Sequence, residues 1–63
     1  MPDYSIMRQI YTDLRLRGGQ GELHACYFPR MTRQEYLSAL AALRDSGAIV
    51  RVGPCLYELG ASL

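Results

Sequence analysis

His24, Cys26 and Cys55 are the residues of this chain that offer nucleophilic or metal-binding chemistry. Together they would supply three zinc ligands, but an H-x-C pair with one distant cysteine matches no common zinc spacing. A cysteine nucleophile would need an imidazole placed against it, and His24 stands two residues from Cys26 with no evident carboxylate to orient it. No phosphate-binding loop or metal motif occurs. These residues argue against an enzyme and against any metal or cofactor. The cysteines read instead as small buried hydrophobes, unpaired as in a cytoplasmic chain.

The charged residues say more. All seven basic residues are arginine, against six acidic ones, for a net charge of +1. Arginine is the residue for forked contacts to phosphate or guanine, although coding bias in a GC-rich genome produces the same composition and is the preferred explanation. A net charge near zero does not exclude a nucleic-acid binder, which needs a basic stripe rather than a basic total.

At 63 residues, 49% of them hydrophobic, the chain is one small globular domain. A domain of this size buries only ~60% of the surface its unfolded chain exposes, so self-association is the expected supplement to its core. No apolar run is long enough to span a bilayer. The opening MPDYSIMRQI lacks a basic region followed by a continuous apolar one, and the expected location is the cytoplasm.

Four elements must position these side chains. A first helix is expected over 4–17, capped by Asp3, with Ile6, Met7, Ile10, Tyr11 and Leu14 on one stripe and Gly18-Gly19 as its stop. Residues 22–28 fit either a short helix, from the spacing of Leu23, Cys26 and Tyr27, or a strand, from Leu23, Ala25 and Tyr27. The short helix is preferred, with Pro29-Arg30-Met31 as the following turn. The clearest helix spans 32–46. Thr32 and Glu35 form a capping box, Met31 and Tyr36 a hydrophobic staple, and Gly47 the stop. Its buried stripe is read as Tyr36, Leu37, Leu40, Ala41 and Leu43. A hairpin over 48–59 follows, turning through Gly53-Pro54 in a two-residue type II′ turn. Ile49, Leu56, Tyr57 and Leu59 pack it onto the helices, and Gly60 to Leu63 form a tail.

This order, with the run Leu40, Leu43, Gly47, Ile49 and Arg51 in the pattern L-x-x-L-x-x-x-G-x-I-x-R, resembles the small winged helix-turn-helix DNA-binding proteins of bacteria and their phages. The resemblance implies an α+β fold, a single winged-helix domain of two to three helices followed by a C-terminal β-hairpin. It makes 32–46 the recognition helix, entering the major groove by its first turn. Arg33 and Gln34 would then read guanine and adenine edges, with Arg30 beside them. Thr32 and the free N–H groups of the helix start would hold a phosphate, and Arg51 would contact the backbone beside the groove. The sequence departs from the family in its wing tip, which carries no basic residue, and in its short, proline-ended second helix.

The function this implies is sequence-specific binding of double-stranded DNA by a homodimeric transcription regulator. Tyr4, Met7 and Tyr11 on the first helix are the expected dimer interface. The alternative is a winged-helix adaptor or inhibitor that docks on a protein partner without DNA. Each proposed contact also has a plainer reading. Thr32 and Glu35 are cap residues whatever the function, Arg30 and Arg33 are suited to be solvated charges, and Arg51 can pair with Glu58 across the hairpin. Tyr27, Phe28, Tyr36 and Tyr57 are read as core.

Overall fold

The computed structural model describes residues 3–61. Its elements run α1 (Tyr4–Leu16), β1 (Gln20–Glu22), a 3-10 turn (Ala25–Tyr27), α2 (Arg33–Asp45), β2 (Ile49–Arg51) and β3 (Leu56–Leu59). The strands form one antiparallel sheet in the order β1-β3-β2. The fold is a small α+β domain, compatible with a winged-helix-like architecture. Among the described residues no helix is long and apolar enough to cross a membrane.

Local signals set both helices. The Asp3 carboxylate accepts from the Ser5 N–H at 2.8 Å and starts α1. Both halves of the capping box start α2: the Glu35 N–H donates to Thr32 Oγ1 at 3.0 Å and the Thr32 N–H to Glu35 Oε1 at 2.8 Å. Each helix ends in a paired glycine-type cap. The Gly19 N–H reaches the Leu14 carbonyl in α1, and the Ala48 N–H reaches the Leu43 carbonyl in α2, both at 3.0 Å. Gly47 lies at φ +81°, a conformation that any Cβ would strain.

Ile6, Ile10 and Leu14 line the buried face of α1, and Tyr36, Ala39, Leu40 and Leu43 that of α2. The stripe expected on α2 is corrected at two positions, since Leu37 and Ala41 are exposed. At about 100° per residue, Leu37 sits roughly a third of a turn off the centre of the buried arc, and Ala39 takes its place.

The segment after α1 differs from the preferred short helix over 22–28. Gln20, Gly21 and Glu22 pair with Glu58, Tyr57 and Leu56 as an added strand, and only Ala25–Tyr27 make a single 3-10 turn. Leu23 and Phe28, on either side of that turn, are buried, while Cys26 and Tyr27 face outward. The expected core roles of Cys26 and Tyr27 are thus corrected. One short turn has room to bury its flanks but not its outer face.

Arg17 ties this segment to α1. Its Nη2 donates to Asp13 Oδ2 at 2.8 Å and to the Glu22 carbonyl at 2.6 Å, and its guanidinium lies 5.6 Å from the centre of the Tyr27 ring.

The hairpin tip is also corrected. The Leu56 carbonyl accepts from both the Val52 N–H (2.8 Å) and the Gly53 N–H (3.2 Å), which leaves Gly53, Pro54 and Cys55 as the loop. Gly53 is not among the residues of positive φ, so the type II′ turn is excluded. Leu56 falls on the opposite face from Tyr57 and leaves the helix-facing side to Ile49, Tyr57 and Leu59. Gly60 and Ala61, read as tail, are pinned instead: their N–H groups donate to the Ala48 and Gly47 carbonyls at 2.8 and 2.7 Å. Residues 62 and 63 of that tail lie outside the described residues.

Tyr36 stacks against Phe28 with ring centres 5.8 Å apart. Its phenol is pushed up to about 12, first by burial and then by the neighbouring acids Tyr57, Cys55 and Cys26. An unfolded tyrosine ionises near pH ~10, so above that pH the unfolded chain gives up its proton first and stability falls until the folded phenol ionises near 12. Urea midpoints measured against pH should show this alkaline loss, and Tyr36→Phe should shrink it. An undiminished loss in that variant would contradict the assignment.

Candidate nucleic-acid interface

The cap that starts α2 also decides what its first turn presents. With Thr32 and Glu35 bonded to each other and Tyr36 buried, Arg33 and Gln34 are left on the solvent side. Arg30, in the turn just before, is exposed as well. Arg30, Arg33 and Gln34 make no side-chain hydrogen bond or ion pair with the described residues. Their donors are available to a ligand, as an interface to base edges or phosphates needs. The Thr32 hydroxyl is committed to the cap.

Farther along α2 the exposed side chains include the small Ser38 and Ala41, the apolar Leu37 and the acidic Asp45, with Arg33 and Arg44 at one flank. Those two arginines are eleven positions apart, close to three full turns, which puts them on one edge of the helix roughly 16 Å from each other. Arg44 was not singled out from the sequence, although its spacing from Arg33 was a readable signal. Charge follows the same division. Residues 30–51 hold Arg30, Arg33, Arg44 and Arg51 against Glu35 and Asp45, a net +2. The rest holds Arg8, Arg15 and Arg17 against Asp3, Asp13, Glu22 and Glu58, a net −1.

Arg51 stands opposite Tyr57, and Glu58 stands opposite Val50, so the alternative Arg51–Glu58 pair is not formed. The guanidinium folds back on the hairpin loop instead. Its Nε donates to the Gly53 carbonyl at 3.0 Å and its Nη2 to the Pro54 carbonyl at 3.4 Å. A cleft of about 450 Å³ runs between the second half of α2 and β2, bringing Arg44 and Arg51 together at a distance from Arg33 and Gln34. A smaller hollow of about 210 Å³, lined by Gln9, Tyr27 and Pro29, lies beside Arg30.

The expected dimer residues are unequal. Tyr4 is 60% exposed, whereas Met7 and Tyr11 are half-buried and pack against the core. His24 meets the Tyr27 ring edge-on at 5.1 Å and has its Nε2 3.7 Å from Glu22 Oε1. Cys26 is exposed and Cys55 half-buried, and both are free thiols. Among the described residues no three His, Cys, Asp or Glu side chains gather in a way that could hold a metal.

Set against known proteins, the chain matches no family model, no curated protein and no solved structure.

The cap itself is open to test. Thr32→Ala removes the hydroxyl that satisfies the Glu35 N–H and should cost about 1 kcal/mol in urea unfolding. Thr32→Ser should restore most of it. A Thr32→Ala variant as stable as the parent would show that the box does not set the start of α2.

Proposed function

We propose that the protein binds double-stranded DNA sequence-specifically, as a homodimeric cytoplasmic regulator of transcription of bacterial, phage or plasmid origin, with α2 as its recognition helix. The observation that carries this reading is the pair Arg33 and Gln34. They stand side by side, without a side-chain partner among the described residues, on the exposed first turn of a helix whose opposite face is fixed in the core. Arginine can donate two hydrogen bonds to guanine O6 and N7, and glutamine can pair with adenine N6 and N7. Small side chains at Ser38 and Ala41 let the helix sit deep in a groove.

Phosphates would be met around this reading head. Arg30 and the N–H groups at the start of α2 lie at its positive end, while Arg51 and Arg44 stand toward the other end of the helix. One helix reads only a few base pairs. A dimer, formed through Tyr4 with the half-buried Met7 and Tyr11, would present two helices to half-sites about 34–36 Å apart.

The test is Arg33→Ala on a duplex enriched by selection with the parent protein. Specific binding should weaken by ~1–3 kcal/mol, with sequence preference relaxed at the position Arg33 reads. Binding of unchanged strength and preference would remove the proposed base contact.

A further inference from the structure

The two edges of the sheet differ. In an antiparallel ladder, alternate residues turn their N–H and C=O groups toward opposite neighbours. The Val52 N–H bonds to Leu56 and the Gly60 N–H to Ala48, which with Val50 opposite Glu58 makes Ala48, Val50 and Val52 the residues bonded toward β3. Ile49 and Arg51 therefore turn their backbone groups outward, where no described residue bonds to them. On the far edge the same parity turns Gln20 and Glu22 outward, and there Arg17 covers the Glu22 carbonyl. Among the described residues, a guanidinium thus covers one carbonyl of the β1 edge, and nothing bonds to the outward groups of β2.

An open edge is a template for another strand, and proteins commonly blunt it with charge, proline or a bulge. The one charge on β2 is Arg51, and its side chain is drawn back onto the hairpin loop. Val50 and Val52, exposed by 45% and 44%, add apolar surface beside the edge. The cleft of about 450 Å³ lies along it, with Ala41, Arg44 and Asp45 of α2 as the facing wall. The cleft runs the length of β2, with Ile49, Val50 and Arg51 along its strand side.

Backbone geometry selects an extended chain, and charge selects which one. Arg44 and Arg51 outnumber Asp45 in the cleft. A second copy paired antiparallel about Val50 would bring two Arg51 and two Arg44 side chains to one seam, whereas an acidic strand meets them with opposite charge. We propose that the open edge of β2, walled by Ala41 and Arg44 of α2, takes up an acidic, extended segment of a partner protein as a fourth strand. The DNA reading rests on the first turn of α2 and brings Arg44 and Arg51 only to phosphates, so an acidic strand and a duplex would compete for these two arginines.

The experiment is amide hydrogen exchange of the full chain, followed by NMR, with a short capped peptide of alternating valine and glutamate as probe. Its glutamates would face Arg44 and Arg51 and its valines would lie beside Val50. The peptide should slow exchange at the Ile49 and Arg51 amides by about tenfold or more. Arg44→Ala, an exposed position that leaves the fold intact, should weaken peptide binding about five- to tenfold. The proposal is overturned by no protection at millimolar peptide, or by equal protection from the lysine counterpart. It is also overturned if the same amides are protected without peptide as protein concentration rises, which assigns the edge to a second copy. Protection by duplex DNA alone would assign it to nucleic acid and equally sink the proposal.

Discussion

Everything exposed on α2 depends on how firmly its other face is held. The four large side chains removed completely from water, Ile10, Leu14, Leu43 and Ile49, come from α1, α2 and β2. Truncating a buried leucine or isoleucine to alanine costs about 2–5 kcal/mol, while a whole domain is stable by only about 5–15 kcal/mol. A chain this small has no second core to fall back on. Its sheet and two helices are one cooperative unit, and the first turn of α2 can leave Arg33 and Gln34 without partners among the described residues because the rest of the helix is fixed.

What was legible in the sequence was local. Asp3, the Thr32–Glu35 box and the glycines after each helix act within a few residues of themselves, and the helices they predicted stand where expected to within a residue or so. Strand β1 was not legible: Gln20, Gly21 and Glu22 carry no apolar alternation, and their partner β3 lies far down the chain. The hairpin tip was misjudged because Gly53-Pro54 fits a two-residue turn locally, whereas the register with β3 places a longer loop there. For the candidate site, the cap made the exposure of Arg33 and Gln34 readable. The role of Arg51 was not, since its partners are loop carbonyls whose positions depend on that same register.

Arginine does three different kinds of work in this molecule. Arg17 is structural, joining the end of α1 to β1 and the 3-10 turn. Arg51 steadies the hairpin loop while staying exposed. Arg30 and Arg33 make no such bonds with the described residues. The same guanidinium group is thus either consumed by the fold or left over from it, and composition alone does not separate the two. Arg30, Arg33 and Arg44 lie on or just before α2, and residues 30–51 carry a net +2 in a nearly neutral chain.

Binding of duplex DNA by the face around α2 is what the proposed function stands on. Fluorescence anisotropy of a labelled, pooled duplex titrated with the parent protein at low and at moderate salt tests it most directly. Binding should weaken steeply as salt rises, because arginines on phosphates release counterions. No binding at low salt, or binding indifferent to salt, would contradict it.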